Sequence, residues 1–225
     1  ESLNGIRFLL VGFFPGDYTN KMSAMISPTE PYLLMKQIRD EIFALPKSPL
    51  VAYRQANNFF PVIGEGSHQA KLMLVGEAPG RNEAKTGRPF CGRAGQLLDE
   101  LLSAIGVNRA DVYITNIVKD RPPANRDPLP EEIACYGPFL DRQIAIIKPE
   151  VIVSLGRFSM TYLLNRCELV DQLGTIGALH GRVFTGKIFD RPVKLVPMYH
   201  PAAAIYNNSL RDVLLKDFQL LRHLL

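Results

Sequence analysis

Short apolar runs alternate along this chain with longer amphipathic segments. Four of the runs have the length of buried strands, and they cover residues 72–75, 112–115, 151–154 and 193–197. Apolar residues at helical spacing predict helices over 94–105, 130–147 and 210–225, with a further helix after Gly156. Strands that alternate with helices through short connections favour a mainly parallel sheet. The predicted fold class is therefore α/β, a single three-layer α/β/α domain with helices on both faces of the sheet.

The pattern also predicts where the domain begins. Residues 1–30 are expected to be an N-terminal extension, and residues 31–225 are expected to form the domain. A helix is predicted over Pro31–Phe43 and a loop over Ala44–Ala56. Farther along, the segments around residues 183 and 189 predict a hairpin that turns near Gly186-Lys187.

Composition narrows the class of protein only moderately. The chain has 225 residues, enough for one α/β domain with a substantial core, and its 47% hydrophobic and 21% charged content is ordinary for a globular protein. No apolar run reaches the roughly 18 residues that a membrane helix needs. The net charge of +4 permits a polyanionic partner without requiring one. Three widely spaced cysteines do not form a disulfide framework and favour an intracellular compartment.

Polar residues stand at the ends of three predicted strands. Glu77, Asn116 and His200 each follow an apolar run. Taken singly, they fit a solvated acid, a turn cap and a loop histidine. Together they fall at the carboxyl edge of a parallel sheet, which is where open α/β sheets bind ligands. Their coincidence predicts a binding cleft at this edge.

Two loops carry further candidate chemistry. Phe90 follows a proline in a polar, glycine-rich loop, where it is either a core residue or a platform on which a planar base stacks. The loop Lys119–Arg126 is basic and contains two prolines, so its cations suit phosphate binding as well as a solvated surface. Asn125 in that loop also suits a turn.

Several short motifs in these segments occur in a fixed order. They are Gly76-Glu-Ala-Pro-Gly80 with Glu83, Thr86-Gly-Arg-Pro-Phe90, Tyr113-Ile-Thr-Asn116, Arg121-Pro-Pro-Ala-Asn-Arg126, Leu155-Gly-Arg157 and His200-Pro-Ala-Ala203. In this combination the chain resembles the family 4 uracil-DNA glycosylases of bacteria and archaea. The resemblance extends from about Ser48 to the C-terminus.

The resemblance implies a role for each matching residue. Gly76, Glu77, Ala78 and Pro79 would line a uracil pocket, Phe90 would stack on a flipped base, and Asn116 would read its Watson–Crick edge. His200 would hydrogen-bond the base oxygen where negative charge develops. Glu83 and Asn125 would act on the catalytic water or the nearby DNA, so Glu83, His200 and Asn125 are the implied catalytic residues. The implied DNA contacts are Lys119, Arg121, Arg126 and Tyr206. Ile205 or Tyr206 would insert into the DNA as the wedge residue.

The chain departs from the family at one set of positions. The resemblance implies an iron–sulfur cluster held by four cysteines, but Ser48, Val51, Asp120 and Tyr136 stand at those positions here. A cluster of this kind needs four ligands, and Cys135 alone cannot supply them. We therefore expect no cofactor and no metal site. Packing or hydrogen bonds are expected to replace the cluster, with an ion pair between Asp120 and Arg54 or Arg121 as one candidate.

The resulting expectation is a DNA-repair glycosylase that flips uracil out of DNA and hydrolyses its N-glycosidic bond. Its partner would be uracil-containing DNA, single- or double-stranded, with no membrane involved. A monomer in the cytoplasm, associated with the nucleoid, is expected. Two alternatives remain open. One is a DNA-binding or replication-accessory protein with little activity on a glycosylase scaffold, and the other is a glycosylase for another deaminated base.

Overall fold

The structure is a computed structural model that describes residues 30–46, 48–205 and 207–225. Its strands are β1 (Glu65–Gly66), β2 (Leu72–Gly76), β3 (Tyr113–Asn116), β4 (Val151–Leu155), β5 (Phe184–Ile188) and β6 (Arg191–Met198). The helices in the first half are α1 (Glu30–Ala44), α2 (Val51–Ala56), α3 (Arg81–Thr86) and α4 (Arg93–Ala104). Those in the second half are α5 (Pro130–Ile147), α6 (Arg157–Arg166), α7 (Ile176–Leu179), α8 (Pro201–Ala204) and α9 (Asn208–Leu221).

The six strands form one sheet in the order β1-β3-β2-β4-β6-β5. The four central strands are parallel, whereas β1 and β5 pair antiparallel at the two edges. The predicted mainly parallel sheet is thereby confirmed. The chain passes from β2 to β3 on one side and then to β4 on the other. This reversal leaves a crevice at the carboxyl ends of the central strands.

Each face of the sheet has its own apolar core, because successive side chains of a strand point to opposite faces. Met73 and Val75 pack on one face with residues of α1, α5 and α6. Leu72 and Leu74 pack on the other face with residues of α4 and α9. The three-layer α/β/α arrangement predicted from the alternation of elements is therefore confirmed.

The edge hairpin turns later than the sequence pattern predicted. Gly186 and Lys187 lie inside β5 and pair with β6, and the turn is Phe189-Asp190, with φ of 52° and 58°. The prediction near Gly186 was wrong because that glycine serves a close contact. A Cβ there would come within 2.4 Å of the carbonyl oxygen of Cys167. Glycine in a strand thus marks an approach of backbone to backbone here, and the turn lies elsewhere.

Other boundaries differ where elements are too short to show periodicity. The segment predicted as a loop over residues 44–56 contains α2, and the polar loop after β2 contains α3. Asn116 is the last residue of β3, and α9 ends at Leu221.

The predicted extension over residues 1–30 lies, apart from Glu30, outside the described residues. In the described residues, no helix has the length and apolarity needed to span a bilayer.

Candidate active site

A cleft of about 380 Å³ opens at the carboxyl ends of the central strands. Its size lies in the range of small-molecule pockets and suits one flat ring. The residues predicted from sequence that line it are Glu77, Ala78, Pro79, Glu83, Phe90, Asn116, Asn125, Arg126 and His200. The fold thus brings together side chains from four separate segments of the chain.

Asn116 is the buried polar group of this cleft. It ends β3, its exposed fraction is 2%, and its Oδ1 has no hydrogen-bond partner among the described residues. Gly76 lies opposite in β2, and a Cβ on it would come within 2.3 Å of that Oδ1 and 2.8 Å of Phe90 Cζ. Only glycine leaves both side chains in place. A buried acceptor without a hydrogen bond costs free energy, so this oxygen is suited to accept a hydrogen bond from a ligand in the cleft.

Phe90 and His200 form one wall of the cleft. Their ring centroids are 5.4 Å apart and the ring planes differ by 25°. Phe90 is buried and has a left-handed backbone, with φ of 46°. A Cβ at Gly95, in the first turn of α4, would come within 1.7 Å of the carbonyl oxygen of Phe90. The glycine therefore lets the strained Phe90 backbone pack directly on α4, which fixes the aromatic wall.

The tautomer of His200 follows from its contacts. Its Nδ1 accepts a hydrogen bond from the backbone N–H of Ala202 at 3.1 Å, so the ring proton of the neutral form is on Nε2. Desolvation lowers the pKa of His200 to about 4, and the charge of Glu83 opposes this only in part. His200 is therefore a neutral imidazole at neutral pH and presents an N–H donor to the cleft.

Glu83 is held in place by the start of the following helix. Its Oε1 accepts hydrogen bonds from the backbone N–H groups of Cys91 at 3.0 Å and Gly92 at 2.9 Å. Such charge-assisted bonds orient a carboxylate strongly. Glu83 is thereby a fixed negative charge on the cleft wall, positioned by the loop between α3 and α4.

Glu77 plays a different part. Its carbonyl oxygen accepts from the N–H of Val118 at 3.0 Å, and its carboxyl group accepts from the N–H of Phe158 at 3.3 Å, at the start of α6. Burial raises the pKa of Glu77 and outweighs the bond to Phe158. Glu77 therefore joins β2 to α6 and shapes the floor of the cleft.

Lys119 does not reach the surface. It is fully buried, and its Nζ donates to the carbonyl oxygen of Asn116 at 2.6 Å, to Gln143 Oε1 at 2.7 Å and to Thr115 Oγ1 at 2.8 Å. The expectation that Lys119 contacts DNA is therefore wrong, because this ammonium cannot approach a phosphate. It supports the end of β3 instead.

Two of the other implied DNA contacts, Arg126 and Arg121, have partners within the protein. Arg126 forms two hydrogen bonds, of 2.6 and 2.9 Å, with the buried carboxylate of Glu132. Arg121 Nη1 donates to Tyr53 Oη at 2.8 Å, and its Nε donates to Asn125 Oδ1 at 2.7 Å. Tyr206 lies outside the described residues, so its implied wedge role stays a prediction.

Two exposed arginines beside the cleft were not singled out from the sequence. Arg81 directly follows the cleft residue Gly80, and Arg157 forms an ion pair with the cleft residue Asp127. Both residues are exposed, although Arg157 already has Asp127 as a partner, and they add positive charge close to the cleft. The sequence signal for them was their position, directly after Pro79-Gly80 for Arg81 and at the start of α6 for Arg157.

Comparison with known proteins identifies the family. The model of the Uracil DNA glycosylase superfamily matches residues 63–222. The chain belongs to the uracil-DNA glycosylase superfamily. It is 44% identical over 191 residues to the Type-4 uracil-DNA glycosylase of Sulfurisphaera tokodaii, a match that covers 84% of each chain. The Type-4 enzyme of Archaeoglobus fulgidus is 44% identical over 179 residues, covering 80% of this chain and 87% of the relative.

Three of the four positions at which the resemblance implies cluster ligands, namely Ser48, Asp120 and Tyr136, come together in this glycosylase fold, and Arg54 joins them. Tyr136 Oη donates to Asp120 Oδ2 at 2.5 Å and is hydrogen-bonded to Ser48 Oγ. Arg54 donates to both Asp120 oxygens, at 3.1 and 3.3 Å. All four residues are buried, and together they are called the buried polar network below.

This donor set does not fit an iron–sulfur cluster. The cluster requires thiolates, whereas the oxygens of Ser48, Asp120 and Tyr136 bind one another. The nearby Cys135 cannot compensate, because burial and the charge of Asp120 raise the pKa of its thiol. Among the described residues, no three histidine, cysteine or acidic side chains form a metal-binding group.

Proposed function

We propose that this glycosylase-family chain excises uracil from DNA, with Asn116 reading the base, and that it works without an iron–sulfur cluster. The observation that carries the proposal is the buried Asn116 Oδ1, which faces the cleft without a partner among the described residues. Uracil presents an N3–H donor next to the O4 acceptor. The Asn116 amide offers the complementary acceptor and donor, whereas cytosine presents the opposite pattern and would leave buried groups unpaired.

The chemistry is the cleavage of the bond between C1′ of the deoxyribose and N1 of uracil. Both electrons of that bond leave with the base, so negative charge develops on uracil and positive charge on the sugar. The Nε2–H of neutral His200 would donate to the base oxygen that gains the charge. Water then adds to C1′ and loses a proton to the solvent, and the departing uracil anion takes up a proton, which yields an abasic site and free uracil.

Glu83 is the group suited to the sugar side of the reaction. Its carboxylate is fixed by two backbone N–H groups and lines the cleft. A fixed negative charge there stabilises the cationic sugar and orients the attacking water. Asn125 also lines the cleft and would contact the same water or the adjacent DNA. Because the base must leave the helix to enter the cleft, the substrate is a flipped or unpaired nucleotide.

The buried polar network takes the structural place of the cluster in this proposal. It connects the segment before α2, through Ser48, to the loop that begins at Asp120 and to α5, through Tyr136. These are the segments that cluster ligands would otherwise join. We further propose that the protein acts as a monomer in the cytoplasm at the nucleoid, which suits its DNA substrate and its free cysteines.

The test is a release assay on oligonucleotides that carry uracil, hypoxanthine or xanthine in single- and double-stranded DNA. The parent is expected to release uracil, and Asn116→Ala and His200→Ala are expected to lower the rate by at least about 100-fold. Iron is to be quantified in the same preparation, with no stoichiometric iron expected. DNA binding without release would favour the accessory function, and release of another base would favour the second alternative. Iron near stoichiometric amounts would contradict the cluster-free proposal.

A further inference from the structure

Arg121 lies near the start of the loop that contains Asn125, and its side chain packs against two aromatic rings. Its guanidinium carbon lies 6.0 Å from the ring centroid of Tyr53 and 5.5 Å from that of Phe59. The two rings pack edge to face, with centroids 6.1 Å apart. A cation held against two rings and hydrogen-bonded to Tyr53 Oη has lost most of its freedom before any ligand arrives.

We infer that Arg121 is a positioning residue for Asn125 and that α2 supplies its anchor. The inference rests on the proposed function, because it assigns a role to Asn125 in the same cleft. The alternative, implied by the family resemblance, is that Arg121 contacts a DNA phosphate. The two roles require different properties of the side chain. Positioning requires a planar guanidinium with several fixed N–H donors, whereas a phosphate contact requires only a positive charge.

The hydrogen bond from Arg121 decides which way the Asn125 amide points. Nε donates to Asn125 Oδ1 at 2.7 Å, so the amide oxygen is committed to the guanidinium. The remaining polar group of the side chain is Nδ2, which carries two N–H donors. Asn125 lines the cleft, and it therefore presents a donor to the reaction space. A donor binds the oxygen of a water or of a phosphate and cannot accept the proton that the water loses.

The backbone at Asn125 makes such support necessary. Ala124 and Asn125 both have left-handed backbones, with φ of 55° and 54°. Asparagine tolerates this region because its short polar side chain can hydrogen-bond locally, an option that alanine lacks. The turn is closed by bonds from the N–H of Asn125 to Pro122 and from the N–H of Arg126 to Pro123, of 3.2 and 3.1 Å. The bond from Arg121 adds the side-chain contact that selects one amide orientation.

The anchor is tied to the interior of the protein by a second link. Tyr53 and Arg54 are neighbours in α2, and Asp120 and Arg121 are neighbours at the start of the loop. Arg54 binds Asp120 on the buried side, while Tyr53 binds Arg121 on the outer side. The two links hold α2 and the loop in register. The position of Asn125 therefore depends on α2, which itself lies outside the cleft lining.

Matched variants separate positioning from phosphate binding. Arg121→Lys keeps the positive charge but loses the planar guanidinium that binds Asn125 and Tyr53 at the same time. Arg121→Ala removes the charge and both hydrogen bonds. Tyr53→Phe removes one hydrogen bond and keeps the aromatic ring. Single-turnover uracil release and the DNA dissociation constant are measured for each, the latter over a series of salt concentrations. Asn125→Ala and the double variant with Arg121→Ala complete a double-mutant cycle. Melting temperatures confirm that each variant is folded.

For a positioning role, Arg121→Lys and Arg121→Ala should both slow release by about tenfold or more, with a smaller loss for Tyr53→Phe. The loss in the double variant should not exceed that of Asn125→Ala, and the salt dependence of binding should not change. For a phosphate contact, lysine would restore most of the activity, the two losses would multiply, and the slope of log Kd against log salt would fall by about one. That second set of results would overturn the inference.

The free protein gives a readout that does not depend on catalysis. The Nδ2 protons of Asn125, assigned by their loss in Asn125→Ala, are expected to have a dispersed NMR signal in the parent. In Arg121→Ala and Arg121→Lys this signal should move towards the position of an asparagine in an unstructured peptide. An unchanged signal would refute the positioning role. A parent that releases no uracil, with the signal shifting as expected, would contradict the proposed function and leave the positioning role supported.

Discussion

Replacement of Asp120 with alanine tests how much the buried polar network stabilises the fold. Asp120 is 1% exposed and its partner Arg54 is 7% exposed, so the substitution leaves a buried guanidinium without its counter-charge. Breaking such a pair from one side costs about 3–5 kcal/mol. Arg54 also donates to the carbonyl oxygens of Ile42 at 3.3 Å and Phe43 at 3.1 Å, and both bonds would remain. We therefore expect the lower end, about 3 kcal/mol, which corresponds to a Tm decrease of about 6–12 °C for a chain of this size.

Urea and thermal unfolding, followed by circular dichroism, measure the effect. Glu100→Ala is the matched control, because it breaks an ion pair with Arg211 whose side chains are 57% and 54% exposed, and it should cost less than about 1 kcal/mol. The double variant Arg54→Met with Asp120→Leu removes both charges and should recover part of the loss, since the carbonyl oxygens of Ile42 and Phe43 then lack the Arg54 donor. A cost below about 1 kcal/mol for Asp120→Ala, or a double variant no more stable than the single one, would refute the bracing role.

Three further predictions concern the cleft. Because the pKa of His200 is about 4, its imidazole is neutral from pH 5 to 8, and the single-turnover rate of uracil release should not fall as the pH rises over that range. A tenfold loss of rate for each unit of rising pH would mean that the imidazolium is needed. Gly76→Ala should slow release by about 100-fold or more with the fold retained, since its Cβ would displace Asn116 and Phe90; an unaffected rate would contradict the tight fit. Lys119→Met should destabilise the protein by about 1–3 kcal/mol, because three buried acceptors lose their donor. Burial lowers the pKa of Lys119, so the unfolded chain binds this proton more tightly, and the cost of burying the charge shrinks as pH rises towards the ordinary lysine pKa of 10.5. Denaturant titrations should therefore show that the parent gains stability with rising pH relative to Lys119→Met; parallel pH profiles for the two proteins would refute it.

The sequence determined the layers and the composition of the cleft. Period-2 and period-3.6 patterns fix which faces are apolar, and the alternation of strands and helices then leaves few arrangements other than a parallel sheet between two helical layers. The ligand edge follows from that topology, so Glu77, Asn116 and His200 could be assigned to one cleft from their positions after apolar runs. The hairpin turn was mispredicted because a glycine signals either a turn or a close contact, and local sequence does not distinguish the two.

Only the tertiary structure decided what each charged side chain does. Lys119 and Arg121 look alike in a basic, proline-rich loop, yet one is buried beneath Asn116 and the other is clamped against Tyr53 and supports Asn125. Asn116 and Asn125 are close to these two residues in the chain, but Gln143 and Tyr53, which complete the two environments, lie 24 and 68 residues away. Local sequence therefore does not decide which of the two side chains is buried. The sequence determines which chemical groups are present and on which face of a strand or helix each one lies. Long-range packing then decides which of them meet water, because hydrogen bonding and desolvation depend on neighbours that only the folded chain supplies.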